Sequence, residues 1–351
     1  MEKIKIGIVG LGGISGKHIR ELLAIDEAEI VAICDIDPAR ITEKNELLHL
    51  PPEKCYADYR DLVNDPDVMA VEVCTPNHMH AEIAVTALGA SKPVNVEKPL
   101  ALTYAEAKRI IDAQREAGVA GMTCFSYRFQ PAVRYAKHLV DTGALGEIIG
   151  LNVAYLKDSA LWEGRRLEWR FVEKYAGSGV IGDLGVHLID LAQLLAGEME
   201  SLIAQKKIVV KERKKLDSED LAPVETEDMC SFLATFASGA TGSFHITRAA
   251  AGYKNTIRYD VYGTRGSLSF DLDHPETLTL CIGEGNPLHK NFETVEVPKE
   301  FYLTQEKAFV LAVGGDTDAL FPTLDDGLQG QRIIDALLTS AKEDRRVFIK
   351  D

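Results

Sequence analysis

The feature that most constrains this chain is a glycine turn set between an apolar strand and a helix, at the head of a repeating strand–helix rhythm. Lys3 to Val9 reads as a strand, Gly10-Leu11-Gly12-Gly13-Ile14-Ser15 as the turn, and Gly13 to Ile25 as the helix that leaves it. Strands then recur at Glu29–Cys34, Val68–Cys74, Lys92–Val96 and Val119–Cys124. Between them lie helices from about Pro38, at Asp58–Asn64, from about His78 to Leu88, and at Thr103–Ala117. Nearly continuous apolar strands alternating with helices specify a parallel sheet covered on both faces. A turn of this kind lets backbone N–H groups approach a pyrophosphate, with the positive end of the helix dipole behind them. Gly10 permits the turn, Gly12 clears the path to the phosphates, and Gly13 and Ile14 complete the cradle. Ser15 stands where the third glycine of G-x-G-x-x-G usually falls, and a small residue there still lets helix and strand approach closely.

The second strand ends in Cys34-Asp35-Ile36-Asp37-Pro38. Asp37 before a proline fits a helix N-cap. Asp35 stands at the strand tip, where a carboxylate binds ribose hydroxyls and repels a 2′-phosphate, which favours NAD over NADP. Arg40 nearby works against that preference. Two further segments fall at carboxyl ends of strands, where open α/β sheets bind ligands: Thr75-Pro76-Asn77-His78-Met79-His80 and Glu97-Lys98-Pro99. Each fits an ordinary turn as well. No partners for a metal held by His78 and His80 are legible, so no metal is expected.

After about Phe125 the rhythm changes. A helix at Ala132–Asp141 is followed by a strand at Glu147–Tyr155 and a helix near Val180–Leu195. Period-two runs then cover Ser201–Val210, Met229–Phe236, Thr241–Thr247, Arg258–Tyr262 and Ser267–Phe270, and helices follow near Thr304–Val313 and Asp325–Lys342. Short turns between the runs indicate an antiparallel sheet. The expected architecture is an α/β Rossmann domain, residues 1–124, followed by an α+β domain, residues 125–351, with an open and mostly antiparallel sheet. The final helix is able to pack back on the first domain. Asp183 and His187, four residues apart, share a helix face. Gly179, Gly182 and Gly185 thin that helix, which sacrifices helix propensity and signals close approach of another group. An imidazole is a natural acceptor for an alcohol proton.

Composition narrows the class. A formal charge of -15 argues against a nucleic-acid surface. The basic run Lys206, Lys207, Lys211, Arg213, Lys214 and Lys215 reads as a solvated or edge strand. No apolar run approaches the roughly 18 residues of a membrane span. The immediate opening strand speaks against a cleaved signal peptide. Six cysteines without C-x-x-C spacing, several in apolar runs, suggest buried thiols in the cytoplasm.

Taken in order, the glycine turn, TPNHMH, EKP and G-S-G-x-x-x-D-x-G-x-H-x-x-D resemble the Gfo/Idh/MocA oxidoreductases. The likeness continues through Tyr127-Arg128-Phe129-Gln130-Pro131, Gly143 to Glu147, Tyr262 to Gly266 and Pro322 to Gly327, and so spans almost the whole chain. Ser15 and Ser178 depart from the family pattern, and neither strikes a reacting group. The resemblance implies hydride transfer between a nicotinamide cofactor and a secondary alcohol or ketone of a sugar, inositol or related polyol. It implies Lys98, Asp183 and His187 as catalytic residues, with His187 the base, Lys98 stabilising the alkoxide and Asp183 orienting. Gly10, Gly12, Gly13, Ile14, Asp35, Thr75, Pro76, Asn77, His80, Glu97 and Lys98 would line NAD. Tyr127, Arg128, Tyr155, Trp162, Arg165, Trp169 and Arg170 are the substrate candidates, or else pack a loop. A homodimer or homotetramer through the open sheet is expected. An NAD-dependent glycosidase and a non-catalytic regulator are the alternative functions on this fold.

Overall fold

A computed structural model describes residues 3–283, 291–318 and 320–349. The chain divides into two compact units, one comprising Met1–Ser126 with Thr304–Gln331 and the other Tyr127–Leu303 with Arg332–Asp351. The segment 304–331 thus returns to the first unit from far along the chain.

In the first unit the elements run β1 (Ile4–Val9), α1 (Ser15–Leu23), β2 (Ala28–Cys34), α2 (Pro38–Leu48), β3 (Cys55–Tyr56), α3 (Tyr59–Asn64), β4 (Ala70–Val73), α4 (His80–Gly89), β5 (Val94–Val96), α5 (Tyr104–Ala117) and β6 (Gly121–Thr123). All strand pairs are parallel and their order is β3-β2-β1-β4-β5-β6. The order reverses between β1 and β4, so the turns at the carboxyl ends of these two strands flank the crevice where doubly wound sheets take ligands. β4 is buried throughout, as expected of a strand covered on both faces. The helix Gln305–Val313 belongs to this unit, as does the start of the helix Leu324–Glu343. There Leu324 fills the space a side chain on Gly121 would need, and Gln331 Nε2 donates to the Leu102 carbonyl at 3.2 Å.

The second unit contains α6 (Pro131–Asp141), β7 (Ile148–Leu156), α7 (Glu173–Ala176), a π-helical turn (Ile181–Gly185), α8 (Val186–Ala196) and β8 (Met199–Lys207). It continues through β9 (Glu212–Lys214), β10 (Leu221–Pro223), β11 (Met229–Phe236), β12 (Thr241–Thr247), β13 (Thr256–Gly263), β14 (Ser267–Asp271), β15 (Thr277–Cys281), β16 (Glu293–Glu296) and β17 (Val347–Phe348). Nine strands form one sheet in the order β16-β15-β14-β13-β7-β12-β11-β8-β17, antiparallel except for the β12–β7 pair. Alternate residues of β11 are buried, which places one face of the sheet against α6 and α8 and leaves the other open. Ile149, Ile203, Leu233, Tyr262 and Phe348 are exposed large apolar residues on these strands.

Three expectations change. The stretch Glu173–Ala196 does have the length and hydropathy of a membrane span, but 83% of an apolar 18-residue window within it is buried in the protein, so it is a core segment. The basic run is not uniformly solvated. Arg213 is buried, donates to the carbonyls of Arg165 and Ala160, and lies over the Phe171 ring. The long sheet also takes in strands β15 and β16, which their short polar alternation hid in the sequence.

Candidate active site

The cofactor half belongs to the first unit. Gly10 has φ 91°, and a Cβ there would lie 2.7 Å from the Cys74 main chain, so both conformation and close approach to β4 require glycine. At Gly12 and Gly13 a Cβ would meet nothing within 4 Å. That open space beside a helix N-terminus is the room a pyrophosphate needs, and the turn therefore fits the dinucleotide. Ser15, fully buried, donates its hydroxyl to the Gly12 carbonyl at 2.7 Å and so ties the turn closed. The departure from the glycine pattern has a structural use.

Asp35 is buried at the tip of β2. Its Oδ2 accepts the Leu11 N–H at 2.7 Å and its Oδ1 the Asp37 N–H at 2.9 Å, while Arg40 Nη1 stands 3.6 Å from Oδ2. The same carboxylate thus holds the glycine turn, a role its sequence position did not disclose. Asp37 caps α2 through the Ala39 N–H, as its place before Pro38 implied.

Thr75, Pro76 and Asn77 succeed β4, and Glu97, Lys98 and Pro99 succeed β5; the Lys98–Pro99 peptide is cis. His80 needs correction. It is fully buried, with Nδ1 2.9 Å from the Pro99 carbonyl and Nε2 2.8 Å from the Thr75 carbonyl. It joins the two turns to each other and presents no ring nitrogen to a cofactor. Burial lowers its pKa, against the pull of the two carbonyls, which raise it. Glu97 is also buried: Oε1 faces His18 Nε2 at 3.0 Å, and Oε2 accepts the Lys98 N–H at 3.1 Å.

The second unit holds the other candidates. Glu227 accepts from Gly179 N–H at 2.7 Å and Ile181 N–H at 3.0 Å, and Ser178 Oγ accepts from Gly182 N–H, so the start of the site helix is capped twice over. A Cβ on Gly179 would come within 2.0 Å of the Glu227 carbonyl oxygen, and one on Gly185 within 2.8 Å of Ile246. The glycines serve packing of the helix against neighbouring chain. Asp183 lies in the π-helical turn and His187 in the first turn of α8. The Tyr127 ring meets His187 edge-on, centroids 4.6 Å apart.

Around them runs a closed cycle of hydrogen bonds. Tyr127 and Tyr155 share one at 2.9 Å, Tyr155 donates to Asn255 Oδ1 at 2.9 Å, and Asn255 Nδ2 donates to Tyr127 at 3.0 Å. Burial, then Tyr127, pushes the Tyr155 phenol well above its ordinary range, so it stays a neutral hydroxyl. Asn255 had no signal in the sequence, being one polar residue in an exposed segment.

The remaining substrate candidates divide. Arg170 Nε stands 3.9 Å from Asp183 Oδ2, and its guanidinium covers the Trp169 ring at 4.4 Å, which brings both beside the acid. Arg165 is committed to the Ser159 carbonyl and Glu168, so it packs its own loop, while Trp162 donates to Asp158 at 2.8 Å and keeps its ring exposed. Arg128 is corrected outright: it is buried, and its Nε lies 2.9 and 3.0 Å from the two oxygens of buried Asp190 on α8. It anchors the site helix instead of meeting a ligand.

A family model described as an oxidoreductase family with NAD-binding Rossmann fold matches residues 4–125, and the GFO/IDH/MocA C-terminal domain matches 133–269. The levoglucosan dehydrogenase of Pseudarthrobacter phenanthrenivorans is 32% identical over 328 residues, covering 85% of this chain and 84% of that protein. The myo-inositol 2-dehydrogenase of Thermotoga maritima is 29% identical over 351 residues, 99% of each. A solved levoglucosan dehydrogenase in complex with NADH superposes with a TM-score of 0.92 at 29% identity over 100% of both chains. The chain belongs to the Gfo/Idh/MocA family and is an oxidoreductase with an NAD-binding Rossmann fold.

Proposed function

We propose that the protein oxidises a secondary alcohol of a sugar, cyclitol or related polyol with NAD, or reduces the matching ketone. The observation that carries the substrate class is the Tyr127–Tyr155–Asn255 cycle beside His187. Both phenolic protons are committed inside the cycle. The remaining lone pairs accept hydrogen bonds and the second amide hydrogen of Asn255 donates one, a surface suited to a ligand carrying several hydroxyls.

NAD, when bound, supplies the hydride acceptor. His187 takes the hydroxyl proton as general base, and Lys98 stabilises the negative charge developing on the substrate oxygen. Asp183, with Arg170 near it, orients the substrate hydroxyl. Gly12 and Gly13 leave room for the pyrophosphate, while Thr75, Pro76 and Asn77 line the cofactor. Asp35 receives the ribose and favours NAD over NADP, with Arg40 turned toward Asp35 and Asp37. The six unpaired cysteines suit a reducing cytoplasm. The open sheet face suits a homo-oligomer, since Ile203, Leu233 and Tyr262 stand exposed on it.

The test is a panel of inositols, aldoses and sugar acids with NAD and NADP, read by the absorbance of reduced nicotinamide. Accumulating free NADH distinguishes a dehydrogenase from a glycosidase that restores its cofactor each turn. Lys98→Ala and His187→Ala each lower kcat by about two orders of magnitude or more, with NADH binding nearly intact. Wild-type turnover in either variant refutes that residue's role.

A further inference from the structure

The first unit buries a set of ionisable side chains that the proposed reaction does not use. His18 on α1 is 1% exposed, and carboxyl groups from three separate elements face its ring. Nδ1 lies 3.1 Å from Glu72 Oε2 on β4 and 2.9 Å from Glu306 Oε1 on the helix Gln305–Val313, and Nε2 lies 3.0 Å from Glu97 Oε1. Asn95 Nδ2 donates to Glu72 Oε2 at 2.8 Å, and Cys124 Sγ stands 3.0 Å from Asn95 Oδ1.

Ionised carboxylates only accept hydrogen bonds, so a ring flanked by them at both nitrogens carries a proton on each. Burial by itself would strip that proton. Cys74 and Glu306 beside the ring reverse the effect and hold His18 well above its ordinary value. Since burial pushes Cys74 itself up to about 11, it is a neutral thiol near pH 7, and the carboxylates supply the charge. Burial, then Glu306, raises Glu72 well above the ordinary carboxyl range. Glu97 and Glu306 are held low by His18 against the cost of their burial. His18 is thus the cation set between Glu97 and Glu306, and Lys98 and His80 also act to lower Glu97. His18, Glu72 and Cys74, and likewise His18, Glu97 and Cys124, are each compact enough to grip an ion, but an imidazolium has no lone pair to offer one.

We propose that His18 is a positioning residue: its imidazolium fixes the Glu97 carboxylate, whose second oxygen holds the Lys98 backbone N–H and so sets the main chain from which Lys98 projects. This rests on the reading of Lys98 as catalytic. Glu97 is the link, because one carboxylate makes both bonds at 3.0 and 3.1 Å.

Hydrogen exchange of the Lys98 amide, measured by NMR in the full-length protein, tests the link without substrate. His18→Gln is expected to lower its protection about tenfold or more, Glu97→Gln to do the same, and the double variant to lose no more than the larger single loss. Turnover of the polyol found by the panel gives the second readout. With His18→Gln, kcat falls at neutral pH and recovers as rising pH ionises Glu97 again, while Glu97→Gln stays low throughout. Unchanged Lys98 protection in His18→Gln overturns the proposal. Should that variant not fold, unchanged protection in the isosteric Glu97→Gln overturns it equally. Normal turnover in Lys98→Ala would remove the catalytic reading of Lys98, and the exchange measurement would still decide the clamp.

Discussion

Replacing Arg128 with methionine separates an anchor of the site helix from a substrate contact. The Arg128 guanidinium and the Asp190 carboxylate are 6% and 3% exposed, with Nε 2.9 and 3.0 Å from the two oxygens. Removing one partner of a buried pair leaves the other charge desolvated and costs about 3–5 kcal/mol. The second unit lies in the size range where each kcal/mol moves Tm by about 2–4 °C, so a fall of roughly 6–20 °C is expected. Adding Asp190→Leu removes the stranded charge and recovers most of the loss, because apolar groups of similar volume replace buried ion pairs at little cost. Calorimetry on the wild type, Arg128→Met and the double variant measures all three values. KM, taken well below the transition, stays within about twofold of wild type. A Tm fall of less than about 2 °C, or a double variant no better than the single, refutes the anchoring role. A raised KM with Tm preserved returns Arg128 to the substrate.

Gly12→Ala, whose Cβ enters open space, keeps the fold and weakens NADH binding in a fluorescence titration, whereas Gly10→Ala, at φ 91° and against Cys74, lowers Tm as well. His18 and Glu72 are both raised, so they stabilise the fold fully below their ordinary values of 6.5 and 4.5 and lose that contribution as pH climbs through the raised ones. Tm should therefore decline with pH above neutrality, and Glu72→Gln should flatten the decline; a slope unaltered in that variant contradicts the raised pKa of Glu72. Leu233→Lys, on the exposed sheet face beside a groove of about 340 Å³ lined by Thr235, Ser243 and Tyr262, shifts sedimentation toward monomer, and an unmoved profile argues against assembly through this face.

How much of the fold and site was legible in the sequence depends on the range of the interactions. Asp37 before Pro38 is a local capping signal and was legible. The period-two runs of β11 and β12 had bounds readable to the residue, because alternation is the pattern itself. His80 stood in the right segment yet was given the wrong task, since its bond to the Pro99 carbonyl crosses to another turn. Arg128–Asp190, Glu227 at the site helix and Asn255 in the tyrosine cycle join residues 46 to 128 positions apart, and no spacing rule connects them. The two-residue β3 is too short to show periodicity, and the return of Gln305–Val313 to the first unit is a matter of topology.

The π-helical turn at Ile181–Gly185 gives the site a dependence on register. It accommodates one residue more than an α-turn would, ahead of His187 and after the Glu227 cap. Deleting a residue such as Ile181 would leave Asp183, His187 and Glu227 in the chain. It would also rotate the helix start by about 100° relative to the body of α8. Chemistry here depends on counting as much as on composition: a length change that no charge or motif would reveal is enough to part the acid and the imidazole from the cap that aims them.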